Sequence, residues 1–127
     1  MRTPVALALF ALTLFACHKS SDSTNSDPTP ILTLTAPVNN QTFTNGDVIV
    51  IQGAITDNSL HSLTLKITSG STSLYTKTIS VHESTHYAIN DSWKSSVTAA
   101  TNATVTAEVE DHGGHVVTQT VSIKINP

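Results

Sequence analysis

From Ile31 onward, apolar and polar residues alternate in short runs with a period of two. "ILTLTAP" puts Leu32, Leu34 and Ala36 on one face, and "DVIVIQGAITD" does the same with Ile49, Ile51, Gly53 and Ile55. "HSLTLKIT" sets Leu63, Leu65 and Ile67 against Thr64 and Lys66. "SLYTKTISVH" is a weaker run around Leu74 or Tyr75, and "HYAINDSW" offers Tyr87, Ile89 and Trp93. "ATVTAEVED" turns Val105, Ala107 and Val109 one way and Thr106, Glu108 and Glu110 the other. "HVVTQTVSIKI" closes the series with Val117, Val121, Ile123 and Ile125. Successive side chains of a strand point to opposite faces, so each run reads as one half-buried strand. About seven short, β-branched strands predict an all-β antiparallel sandwich. No segment carries a helical apolar stripe.

The residues before Ile31 follow a different pattern. The chain has 127 residues, enough for one ordinary domain. It opens "MRTPVALALFALTLFAC", with Arg2 ahead of an apolar stretch from Val5 to Ala16. A dozen apolar residues fall short of the ~20 that a spanning helix needs, so residues 1–16 read as a secretory signal peptide. "LFAC" resembles the lipobox of bacterial lipoproteins, which implies a lipidated Cys17 and cleavage before it. Two or three acyl chains on Cys17 would hold the protein firmly to a membrane. Residues 17–30 join Cys17 to "HKSSDSTNSDPTP", His18 to Pro30, which has no apolar residue and reads as a flexible tether of roughly 40 Å at full stretch. Within it, Asp22, Ser23 and Thr24 resemble the O-glycosylation sequon of Bacteroidota. His18 after the lipid site is not the aspartate that retains many lipoproteins at the inner membrane. An outer-membrane lipoprotein, facing the periplasm or the exterior, is the expectation.

Residues 31–127 form the domain. "PILTLTAPVNNQTFTNGDVIVIQGAITDN", "LHSLTLKIT" and "ATVTAEVEDHGGHVVTQTVSIKI" together resemble the bacterial Ig-like domain pattern. With the lipobox, the chain is similar to a group of Bacteroidota lipoproteins that carry one histidine-bearing Ig-like domain. That resemblance implies an Ig-like or fibronectin III-like sandwich with a binding or adhesion role. Two positions depart from the pattern: Ala103 replaces a large residue at the start of the sixth strand, and His115 replaces the turn asparagine.

Composition narrows the chemistry. Beyond residue 16, five lysines face nine acidic residues, a net charge of −4 with histidine neutral. No basic patch is present, which argues against nucleic acid. The sequence has no nucleophile elbow, no phosphate-cradling glycine loop and no cysteine besides Cys17, so an enzyme is not expected. Trp93 reads as a core or edge anchor, and a monomer binding a protein or glycan is the expected state.

The histidines remain. Successive strands of a sandwich alternate in direction, so the loops after strands two, four and six share a pole. Those loops are "DNSLH", "HESTH" and "DHGGH", and they hold His61, His82, His86, His112 and His115, with Asp57, Glu83 and Asp111 beside them. The opposite pole, "PVNNQTFTNG", "SGST" and "KSSVTAATN", holds no histidine. The alternative to a generic binding module is therefore a divalent-metal site for Zn or Cu, with His61, His82, His86, His112, His115, Asp57 and Asp111 as candidate ligands. Calcium fits less well, because no Asp-rich loop is present. A pH-responsive patch is a related reading.

"HESTH" serves a metal only if Glu83 to Thr85 turn, since in one extended strand its two rings would be about 13 Å apart. In "HGGH", Gly113-Gly114 predicts a two-residue type I′ hairpin with His112 and His115 as a cross-strand pair, Cβ atoms about 5 Å apart. The first strand should also begin at the histidine pole, close to Gly113.

Overall fold

The computed structural model describes residues 27–127. The signal peptide, Cys17, His18 and the Ser23 motif lie outside the described residues.

Among the described residues, eight strands form two sheets: β1 (Ile31–Ala36), β2 (Gln41–Thr44), β3 (Val48–Thr56), β4 (Leu60–Ser69), β5 (Thr72–Ser80), β6 (His86–Lys94), β7 (Thr101–Asp111) and β8 (Val116–Asn126). One sheet has the order β1-β3-β6, the other β2-β8-β7-β4-β5. All seven expected strands are present, including the weak β5, which pairs antiparallel with β4 along the sheet's edge. The eighth, β2, falls within a segment expected to be a loop. It is four residues long and pairs parallel with β8, where Phe43 lies opposite Ile125. Pro37 brings no N–H to a ladder, so β1 ends there and the chain crosses to the other sheet.

The core lies between the sheets and is aliphatic. Ile49, Ile51, Ile55, Leu63, Leu65, Ile67, Val105 and Ile125 are essentially sealed from water, and these are the positions that the period-two pattern turns inward. Ala103 is buried within this core. The aromatic residues Phe43, Tyr75, Tyr87 and Trp93 are only partly buried and pack around its margin. Gly53 is fixed by close approach: a Cβ there would run into the Thr33 carbonyl of β1.

One open edge of the sandwich is clasped by side chains. Tyr75 of β5 donates its hydroxyl to Asp91 of β6 at 2.6 Å, and Lys77 pairs with the other Asp91 oxygen at 2.9 Å. Burial and the adjacent carboxylate push the Tyr75 hydroxyl up to about 12. Burial acts to raise Asp91, but its bonds to Tyr75, Lys77 and the Ser92 backbone hold it below the ordinary carboxylate value. The Trp93 ring lies against Tyr75 with centroids 6.5 Å apart, so this side chain is an edge anchor.

Three loops and the start of β1 meet at one pole. Ile31 pairs with Thr56, and Thr56 pairs with His86. Asp27 reaches Gly113, where an added Cβ would lie 2.5 Å from its carboxylate. The domain is thus entered at the histidine pole.

Candidate functional site

Each of the three loops at this pole has an identifiable local cause. Between β3 and β4, Asp57 caps the corner by accepting the Ser59 N–H on Oδ2 at 2.9 Å, the turn habit of aspartate. Its Oδ1 is buried without a hydrogen-bond partner among the described residues. At the start of β4 the register against β7 slips between Leu60 and Ser62. His61 is the extra residue of this bulge. The bulge lets Leu60 and Leu63 both point inward and leaves His61 exposed at the rim.

Between β5 and β6, Ser84 donates to the Val81 carbonyl at 3.0 Å and closes a turn through His82 and Glu83. Glu83 has a φ of 60°, a region that suits glycine or asparagine far better than glutamate. The chain therefore does turn within "HESTH". The turn nevertheless separates the two histidines: His82 stands on it, whereas His86 opens β6 and hydrogen-bonds Thr85 at 3.1 Å.

The β7–β8 connection corrects the expected hairpin. Gly114 donates to the Asp111 carbonyl at 3.3 Å, and Asp111 donates to the His115 carbonyl at 3.1 Å. Of the two glycines, only Gly114 has a positive φ, at 83°. These are the marks of a type I turn closed by a G1 bulge, not a two-residue type I′ turn. The sequence carries a signal for it, since Asp at the first position and Gly at the fourth are preferred in a type I turn. His112 and His115 are consequently not cross-strand partners.

Asp111 is the reason. Its carboxylate is buried and accepts the His115 backbone N–H at 2.7 Å, with the His115 Nδ1 also 2.7 Å away. Burial favours the neutral acid, but the His115 backbone and ring and the Gly113 N–H outweigh it. They hold Asp111 below the ordinary carboxylate value. His115 is thereby committed to the turn. Asp27, Asp111 and His115 do place one oxygen or nitrogen each within 4.8 Å of one another. However, the Asp111 oxygens are already engaged, so a cation would have to displace existing bonds.

The other three histidines converge. His61, His82 and His112, one from each loop, can place a ring nitrogen within 4.8 Å of one another, and all three are exposed. Their ring centroids lie 5.8 Å (His61–His82), 4.9 Å (His61–His112) and 4.4 Å (His82–His112) apart, in edge-to-face contact. The Glu83 carboxylate lies 4.0 Å from the His82 Nδ1.

The backbones beneath these rings are tied together. Leu60 donates to the Ser84 carbonyl at 3.0 Å, and Glu83 donates back to Leu60 at 2.9 Å. On the other side, His112 donates to the Ser59 carbonyl at 3.0 Å. The Ser59–His61 corner is therefore a hub that holds the other two loops. Of the seven candidate ligands, the structure gathers His61, His82 and His112 in one group and Asp111 with His115 in another. It brings His86 and Asp57 into neither.

Two surface recesses lie elsewhere. One of about 380 Å³ is bordered by Thr42, Asn102, Thr104 and Lys124, and one of about 290 Å³ by Ser69, Thr72 and Val97. Both sit toward the opposite pole, and among the described residues Lys124 is the only ionisable side chain that lines them.

No protein-family model matches the chain, and no curated protein matches it either. Among solved structures, an engineered protein from the Northeast Structural Genomics Consortium superposes with a TM-score of 0.56 at 14% identity. That match covers 78% of this chain and 20% of the engineered one, so this chain spans a small part of that protein's length. The fibronectin(III)-like modules of Clostridium thermocellum CbhA superpose with a TM-score of 0.50 at 15% identity, over 76% of this chain and 96% of theirs. At such identities the likeness is one of fold. Strand order and these neighbours together make the chain an Ig-like or fibronectin III-like β-sandwich.

Proposed function

We propose that this protein is a lipid-anchored, non-catalytic binding module that presents the histidine pole to a protein or glycan at the outer membrane. One observation carries the reading. Three loops, hydrogen-bonded into a single rim, gather exposed side chains able to bind at the end where the chain enters the domain. Binding residues commonly sit on loops held by a rigid scaffold, and here the scaffold is an aliphatic sandwich. The anchor rests on the "LFAC" motif and the polar stretch after it.

The test has two arms. In a Gram-negative host, the full chain should partition into the detergent phase of a Triton X-114 extraction, and Cys17→Ser should move it to the aqueous phase. On arrays of glycans and envelope proteins, a His61→Gln, His82→Gln, His112→Gln triple variant should lose the signals that Asn102→Ala, at the other pole, keeps. Unchanged partitioning of Cys17→Ser would remove the anchor. Array signals that survive the triple variant but not Asn102→Ala would move the binding face to the other pole. A second reading, capture of a divalent metal, is favoured by the three imidazoles in mutual contact.

A further inference from the structure

We infer that His61, His82 and His112 form a three-imidazole site for one borderline divalent cation, Zn(II) or Cu(II), with a coordination position left open to solvent. The inference rests on the histidine pole being the working face, and it narrows seven candidate ligands to three.

Geometry comes first. Three nitrogens about 2.0–2.1 Å from a tetrahedral ion are about 3.3 Å from one another. The ring nitrogens already lie within 4.8 Å, so the rings need to close by at most about 1.5 Å. Exposed imidazoles gain that distance by side-chain rotation alone. The backbone positions need not move, because the Ser59–His61 corner is bonded both to Glu83–Ser84 and to His112. Fixed backbones beneath mobile rings are what a preorganised site requires.

The surroundings fit the same use. A histidine cluster that only stabilised the fold would be buried or hydrogen-bonded, as His115 is on Asp111. The His61 and His112 rings have neither feature: both are exposed, and neither has a hydrogen-bond partner among the described residues. Beside His82, the Glu83 carboxylate lies 4.0 Å from Nδ1, beyond hydrogen-bond reach, and its negative charge favours a cation held nearby. Glu83 occupies a left-handed conformation that glycine would adopt more readily. Such a breach of local preference is characteristic of functional positions.

Ligand chemistry selects the ion. Three imidazoles without thiolate suit Zn(II) and Cu(II), whereas Ca(II) and Mg(II) require oxygen donors. Cu(II) should bind more tightly than Zn(II), following the usual order for nitrogen sites. The three rings leave the outward position to water or to a donor from a bound partner.

The test is calorimetric titration of the full chain in detergent micelles with ZnCl₂ and with CuCl₂. One ion per chain is expected at micromolar concentration. His61→Gln, His82→Gln and His112→Gln should each weaken binding at least tenfold. His86→Gln and Asp27→Asn, which probe the residues outside the triad, should stay within twofold. No heat with the parent protein, one ion per two chains, or an equal loss in His86→Gln or Asp27→Asn would overturn the site.

Should a triad variant fail to fold, the parent protein still decides the matter. On adding zinc, the NMR ring signals of His61, His82 and His112 should shift while those of His86 and His115 stay in place. Any other set overturns the assignment. Loss of the metal site with pole-dependent array binding intact would leave the binding-face reading standing. Metal binding without such a partner would separate the two in the opposite sense.

Discussion

At the scale of single residues, the pole divides its histidines by whether a carboxylate has claimed them. His115 sits 2.7 Å from a buried acid, and its own N–H completes the same contact. Asp111 should therefore govern stability in acid. Its folded value lies below the ordinary one, so its contribution is complete above the usual carboxylate range and is lost as pH falls through the lowered value. Asp111→Asn should cost about 1–2 kcal/mol near neutral pH, with the gap to the parent narrowing below about pH 4. Thermal melts of both proteins across that range would check it, and a constant gap would refute it. Glu83 should behave in the opposite way. Glu83→Gly relieves a left-handed glutamate and should raise stability by about 0.5–1 kcal/mol, a few degrees in Tm, while weakening the cation site.

At the scale of elements, the inward faces of the strands were legible because one residue type in two had to be apolar. Ile49, Ile51, Leu63, Leu65, Val105 and Val109 are buried as the alternation requires. What alternation does not carry is register. The bulge at His61 and the four-residue β2 depend on how one strand meets another, and neither changes the local pattern enough to be read. The β7–β8 turn departs from the expected type I′ hairpin for a related reason. Gly113-Gly114 is a type I′ signature taken alone, but the Asp111 carboxylate favours the type I turn by accepting N–H groups inside it. The close antiparallel pairing of β1 with β3 at Gly53 gives this scale its own test. Gly53→Ala forces a methyl onto the Thr33 carbonyl and should destabilise the fold by about 1–3 kcal/mol in denaturant unfolding. An unchanged midpoint would show that β1 yields there without cost.

At the scale of the molecule, topology does most of the work. Alternating strand directions were enough to place every domain histidine at one pole, and Asp27 at Gly113 sets the entry of the chain there as well. Which histidines touch was not legible. The β5–β6 turn sends His82 toward His61 and leaves His86 on β6, whose sheet is the other one. A domain entered at its histidine pole, if anchored through Cys17, holds any bound cation within a tether's length of the membrane. Cys17→Ser should free the protein from the membrane without changing its metal affinity, because anchor and site share no residue.

Three particular imidazoles, drawn from three loops, are the proposed holders of one cation. Anomalous diffraction at the zinc absorption edge, from crystals of the protein with one equivalent of zinc, locates the ion directly. The expected result is a single peak within about 2.0–2.1 Å of ring nitrogens of His61, His82 and His112. A peak on Asp111 and His115, a peak on His86, or no peak at the pole would rule out the three-histidine site.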